Sequence, residues 1–266
     1  MIKLGANSVL FAGFDLETAF KYIACAGYDG IELSAIKGMC EHLELDNWKA
    51  QRNQIEEMSE EHGLELLSME EAALDEDRLE KAFAAGAEMG IPVVNVGPGG
   101  VADVEEDFDR QVELLAKLSE RAKAHGVVLC VKAHVGNCIY NTPSTLRAMS
   151  EIDSSGFGID MDPSHIYRAG ENPVEALKAV ISRVKHVHIR DCVVPEGGPG
   201  APELQACGRG NIDLAGYVAV LHKVGIDVAV NLEVIGAKDY ELGHVATIAA
   251  ESRGYLNACL KKCGAR

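Results

Sequence analysis

The chain has 266 residues, a formal net charge of −16 and a composition that is 47% hydrophobic. That length suits one large α/β domain with a sizeable core. The negative charge argues against a nucleic-acid backbone or an anionic membrane as partner, since both call for a basic face.

In chain order, Ile2–Asn7 reads as a first strand, and DLETAFKYIACAG after it carries the charge and spacing of a helix. Asp29–Ser34 is the second strand. The lone Trp48 is expected to pack a helix. Leu64–Met69 and Pro92–Gly97 are the third and fourth strands, and GPGG (Gly97–Gly100) reads as a tight turn rather than a phosphate cradle. In EEDFDRQVELLAKLSERAKAHG, Phe108, Val112, Leu115 and Leu118 recur at three- and four-residue steps, as one face of a helix does. Val127–His134, Phe157–Asp162, Val184–Asp191 and Val228–Val234 complete eight strands, with LAGYVAVLHKVG as the helix before the last. The segment TIAAESRGYLNACLKKCG reads as a packing helix. Gly27, Gly63, Gly90, Gly126 and Gly225 stand where helices should stop.

Eight β-then-α units with no linker predict parallel strands joined by helical crossovers. Their number and length fit a (β/α)8 TIM barrel, a single domain over residues 1–266. An open doubly wound sheet is the alternative, but no GxGxxG follows the first strand, which disfavours its dinucleotide-binding form. The eight cysteines show no CxxC and no zinc-finger spacing. Cys25, Cys130 and Cys192 lie in or beside apolar runs, as buried thiols of a reducing compartment do. No apolar run approaches the roughly 20 residues of a membrane span, and MIKLGANSVLF lacks the long apolar core of a signal peptide. A soluble, cytoplasmic protein is expected.

A TIM barrel places its chemistry at the C-terminal ends of its strands. Three consecutive strands end in Asp162, His188 and Glu233, each within apolar sequence: GIDMD, HVHI, VNLEV. A charge inside a buried strand is costly unless paired or metal-bound. The mixed N/O set suits Mn²⁺, Mg²⁺, Co²⁺ or Zn²⁺. Singly, each has a plainer explanation. Asp162 precedes Pro163 and Ser164 and suits a helix cap; His188 suits a core histidine; Glu233 suits a buried pair with Arg190 or Lys132. Their coincidence on neighbouring strands favours a shared site. His165, three residues after Asp162, is placed at the same mouth. Glu32 either lines the mouth or sits in a core salt bridge. Arg209, flanked by glycines in GRGNID, can approach an anionic or polyhydroxylated ligand; Asn211 or Asp213 caps the helix that follows. In VVLCVKAHVGN, Lys132 and His134 are two apart on a strand and point the same way. Asn137, just beyond, is a substrate-shaping position.

The stretches AGYDGIEL (Ala26–Leu33), GIDMDPSH (Gly158–His165), VKHVHIRD (Val184–Asp191), GRGNID (Gly208–Asp213) and VNLEV (Val230–Val234), in this order and spacing, resemble the xylose-isomerase-like TIM-barrel family of sugar (phosphate) isomerases and epimerases. The resemblance implies one divalent ion, commonly Mn²⁺, held by Glu, Asp, His and Glu from strands five to eight. Asp162, His188 and Glu233 match three of these ligands, His165 the histidine after the aspartate, and Arg209 the arginine that reaches the substrate. It also implies two glutamates that move a proton at the carbon next to a carbonyl, while the ion stabilises an enediolate.

The fifth strand departs from this pattern. The family usually writes Glu-Asn-His there, and this chain writes Lys132-Ala133-His134. Three outcomes follow. A metal stays on Asp162, His188 and Glu233, with His134 as a fourth ligand and Lys132 as a proton shuttle. The lysine ammonium takes the metal's place beside Asp162 and Glu233. Or the site is inert and binds a ligand only. The expected function is a sugar isomerase or epimerase, metal-assisted, with Glu233, Lys132 and His165 catalytic and Arg209, His134, Asn137 and Glu32 binding a carbohydrate. A lyase or dehydratase, and a non-catalytic sugar-binding protein, are the alternatives; an endonuclease acting at abasic sites is disfavoured by the charge. The sequence leaves homo-oligomerisation open.

Overall fold

The computed structural model describes residues 2–266. The strands are β1 (Ile2–Asn7), β2 (Gly30–Ile36), β3 (Cys40–Glu41), β4 (Glu65–Ala72), β5 (Val93–Val96), β6 (Val128–Lys132), β7 (Phe157–Asp160), β8 (Val184–Ile189) and β9 (Val228–Leu232). All but β3 are parallel, in the order β1-β9-β8-β7-β6-β5-β4-β2, and β1 pairs with β2 to close the cylinder. This is a (β/α)8 TIM barrel, as the β-then-α rhythm predicts. The two-residue β3, antiparallel to β2, is an addition the sequence did not announce.

The helices between strands wrap the outside. Phe108, Val112, Leu115 and Leu118 are all buried along α4 (Glu105–Ala124), and Trp48 opens α2 (Trp48–His62) with its ring buried. Gly63, Gly90 and Gly225 end their helices in the left-handed region, at φ 64°, 71° and 72°, where an L side chain is disfavoured. The closing helix, α9 (Leu242–Lys262), buries Val245, Ile248, Leu256 and Leu260. All eight cysteines are free thiols; Cys130 and Cys192 are buried as expected, but Cys25, at the end of the first helix, is exposed. Among the described residues no helix is long and apolar enough to cross a membrane.

Two features of the barrel matter for the site. Successive strand residues face opposite ways, so in HVHI the residues Val187 and Ile189 face the helices while His186 and His188 bond across the interior to residues of other strands. Second, β7, β8 and β9 end at Asp160, Ile189 and Leu232, earlier than the sequence suggests. Asp162, Arg190 and Glu233 therefore stand on the rim just past their strands.

Candidate active site

A TIM barrel usually fills its interior with branched apolar side chains; this one carries layers of polar side chains instead. The deepest layer centres on His186. Its Nε2 lies 2.7 Å from Asn231 Nδ2 and 3.1 Å from Ser68 Oγ, and its Nδ1 lies 2.9 Å from Asp160 Oδ1. Gly5 makes this possible, because a Cβ there would sit 1.9 Å from Asn231 Oδ1.

Above it, His188 is clamped between two carboxylates. Its Nε2 is 2.5 Å from Glu32 Oε2 and its Nδ1 is 2.6 Å from Asp160 Oδ2. Burial opposes charge on this ring, but Asp160 and Glu32 outweigh it and hold the pKa well above the ordinary value. Both nitrogens then carry protons and both are donors. Asp160 Oδ1 also accepts from the His188 backbone N–H at 2.9 Å. Glu32 further accepts from Asn7, Ser68 and Asn95 at 2.9, 2.9 and 2.5 Å.

The next layer is built on Lys132, the last residue of β6. Its Nζ donates to Glu70 Oε1 at 2.9 Å and Glu233 Oε1 at 2.8 Å, and lies 3.3 Å from His188 Nδ1. Burial alone would push the lysine pKa down, but Glu233 and Glu70 more than offset it and keep the amine charged. Glu70 and Glu233 take two of the three lysine N–H groups, and no third carboxylate among the described residues accepts from Nζ. Glu70 sits in β4 next to Glu71, and the alternation of the strand sends them to opposite sides. Glu71 pairs with the buried Arg78 at 2.8 Å, whereas Glu70 enters the barrel, where its second oxygen accepts from Asn7 at 2.7 Å. Burial and the charge of Glu233 push the Glu70 pKa up to about 7. Burial also opposes ionisation of Glu233, but Lys132 and Arg190 outweigh it and hold Glu233 well below the carboxylate range.

On the rim, Asp162 caps α6 (Pro163–Arg168), accepting from the Ser164 backbone N–H at 2.7 Å. Its other oxygen takes the Arg190 guanidinium at 3.0 Å. The same Nη2 is 3.0 Å from His165 Nε2 and 3.4 Å from Glu233 Oε2. Burial holds His165 well below its ordinary value, so it is a neutral acceptor for Arg190. Two buried atoms here have no hydrogen-bond partner: Arg190 Nη1 and Glu233 Oε2. Such orphans inside a protein call for an explanation, and a substrate supplies one.

These groups open into a cavity of about 500 Å³, lined among others by Glu70, Lys132, His134, His165, Arg190 and Glu233. The His134 and His165 rings pack at 4.2 Å between centroids. Asn137, Gly97 and Gly99 also lie on its wall, so GPGG borders the mouth rather than forming the expected hydrogen-bonded turn. Of the residues expected from sequence, Lys132, His134, Asn137, His165 and Glu233 thus come together.

Others do not. Arg209 lies on the surface, held by Glu251 of α9 at 2.7 and 2.6 Å, and does not reach the cavity; its flanking glycines lead into a surface ion pair. Glu32 is fully buried beneath the cavity floor, in the core salt bridge that was its second reading, and not on the substrate wall. Asp162, His188 and Glu233 do not form one ligand triangle. Asp162 is taken by Arg190 and Ser164, and His188 by Glu32 and Asp160. Lys132 meets Glu70 and Glu233, not Asp162 and Glu233. Glu70, Asp160 and His186 were passed over as site residues. The alternation of HVHIRD carried a signal for His186, and the paired Glu70–Glu71 gave one too, but nothing in sequence says which member of such a pair faces inward.

Two buried clusters bring three ligand-type atoms within 4.8 Å of one another: Glu32, His186 and His188, and Glu70, His188 and Glu233. Groups at this spacing could hold a divalent ion. The second already holds a cation, because Lys132 Nζ contacts all three of its members. A divalent ion needs ligands at roughly 2.0–2.6 Å and a histidine nitrogen without a proton. An ammonium in the triangle, and carboxylate oxygens at 2.5 and 2.6 Å from the two His188 nitrogens, leave an ion no room. As the residues stand, they fit the ammonium and do not fit an ion beside it.

Among solved structures, a D-tagatose 3-epimerase-like protein superposes with a TM-score of 0.77 at 20% identity, over 98% of both chains. The probable 3-DHS dehydratase AsbF of Bacillus anthracis gives 0.73 at 16%, over 96% of this chain and 98% of the other. At such identities both show the fold alone. Among curated proteins, the inosose dehydratase of Clostridium botulinum (strain Alaska E43 / Type E3) is 33% identical over 87 residues; that match spans 33% of this chain and 29% of the relative's length. The profile of the family described as "Xylose isomerase-like TIM barrel" matches residues 20–259, nearly the whole length, and the chain belongs to that family.

Proposed function

We propose that the chain is an enzyme that moves a proton at the carbon next to a carbonyl of a small polyhydroxylated substrate, interconverting a sugar or sugar derivative with its epimer or isomer. The observation that carries this reading is the pair of cavity-lining carboxylates, Glu70 and Glu233, joined through one ammonium. Their pKa values are pushed apart, which suits one to act as acid and the other as base. Glu233 is ionised, and its Oε2 has no hydrogen-bond partner. It takes the α-proton; the C–H pair moves into the enediolate, and negative charge collects on the former carbonyl oxygen. The N–H of Lys132 not taken by a carboxylate and the unpartnered Nη1 of Arg190 are donors for that oxygen and its neighbour, as charge-stabilising groups require. Protonated Glu70 returns a proton to the other face, leaving one proton on the pair. His165 orients Arg190, and His134 and Asn137 shape the wall against which hydroxyl groups pack.

A second reading has its own support in the dehydratase names among the relatives. The same base removes the α-proton, the electron pair forms a C=C bond, and Glu70 protonates a β-hydroxyl that leaves as water. A panel of ketoses, cyclic polyol ketones and hydroxy-keto acids in D₂O separates the two. Deuterium next to the carbonyl with an isomeric product supports the first, and an unsaturated or dicarbonyl product of lower mass supports the second. No deuterium uptake and no product across the panel would sink both.

A further inference from the structure

We propose that Lys132 is a built-in replacement for a divalent ion, so that this member of a family expected to be metal-dependent works without metal. The inference goes beyond the reaction proposed above, because it concerns what holds the cluster together whichever substrate is used.

The geometry is that of a cation site with the cation supplied by the chain. Glu70, His188 and Glu233 converge from three strands to within 4.8 Å, and the lysine nitrogen stands among them at 2.9, 3.3 and 2.8 Å. Lys132 is 4% exposed and is the terminal residue of β6, so its nitrogen is placed by a strand and not by a loop. Both members of the Lys132–Glu233 pair are buried, and separating them would strand two charges in a low-dielectric interior. An incoming ion would have to expel the ammonium from between the two carboxylates. The ammonium is weaker than a divalent ion as a charge, but it offers a directed N–H. Carboxylates take two of its three, and Lys132 lines the cavity in which an enediolate oxygen would lie.

Metal binding tests this independently of turnover. Purified protein is dialysed against EDTA and then against Mn²⁺, and bound metal is measured by mass spectrometry beside the Mn²⁺-dependent shift in melting temperature. The wild type should hold far less than one ion per chain and show no shift. Lys132→Glu removes the ammonium and adds a third carboxylate to Glu70 and Glu233; it should take up one Mn²⁺ per chain and melt higher in its presence. If that variant fails to fold, Lys132→Gln, neutral and of similar length, should still show a Mn²⁺-dependent rise that the wild type lacks. One tightly held ion per wild-type chain would overturn the proposal, and so would folded Glu and Gln variants that both ignore Mn²⁺. Neither result depends on the substrate, so failure here leaves the proton-transfer reading to its own test.

Discussion

Lys132 and Glu233 meet at 2.8 Å across the barrel, from the end of β6 and from the residue after β9, with both side chains buried. Each therefore controls the charge state of the other. Around this contact the polar interior divides into a sealed lower part, Glu32–His188–Asp160, and an open upper part, Glu70–Lys132–Glu233–Arg190, which the cavity reaches.

The upper part predicts a pH dependence. Proton transfer between faces needs the Glu70–Glu233 pair to carry one proton. Glu233 ionises well below the carboxylate range, and Glu70 holds its proton up to about 7. The singly protonated pair is thus lost as pH rises through about 7, and kcat/KM should fall above that value. Such values belong to the coupled pair. Glu70→Gln should erase this limb. It should also abolish epimerisation while preserving exchange of the α-proton with solvent, since Glu233 still removes and returns it on one face. A pH profile and a deuterium assay of the variant check both.

The lower part predicts a stability effect. His188→Gln removes the cation between Asp160 and Glu32 and leaves two buried carboxylates facing each other. Breaking a buried pair in this way costs about 3–5 kcal/mol. The sign of the pH effect follows. Without the imidazolium both carboxylates are raised above their unfolded values, so the folded variant binds more protons than the unfolded one, and its stability should rise as pH falls from 8 to 5. Urea unfolding at several pH values measures this. A variant as stable as the wild type at pH 8 would contradict the clamp.

Arg209 supplies a control. Its guanidinium is spent on Glu251 at the surface, away from the cavity. Arg209→Ala should leave KM and kcat within experimental error of the wild type. A large rise in KM would mean that the loop carrying it closes over the substrate.

Much of this was legible in the sequence. The fold followed from the strand and helix rhythm and the glycine stops, because a parallel barrel writes its period into every unit. The site was legible as a set of rim positions, and Lys132, His165 and Glu233 proved to line one cavity. What stayed hidden was partnership. Asp162 and His188 were expected as metal ligands, yet Asp162 is taken by Arg190 and His188 by Glu32, and such pairings depend on neighbours far apart in sequence. Glu70 escaped because one residue of register decides whether it or Glu71 faces inward. Arg209 misled because a motif gives no direction for a side chain that finds a closer carboxylate on α9.

The most direct measurement is the rate at which deuterium enters the carbon next to the carbonyl of a turned-over substrate in D₂O with EDTA, for the wild type and for Lys132→Met. The wild-type rate should be unchanged by EDTA, and the variant should be slower by about 10²–10³-fold, the usual cost of removing one preorganised charge-stabilising donor. Deuterium uptake that stops with EDTA and returns with Mn²⁺, or that survives the loss of the lysine, would contradict an ammonium-centred proton transfer.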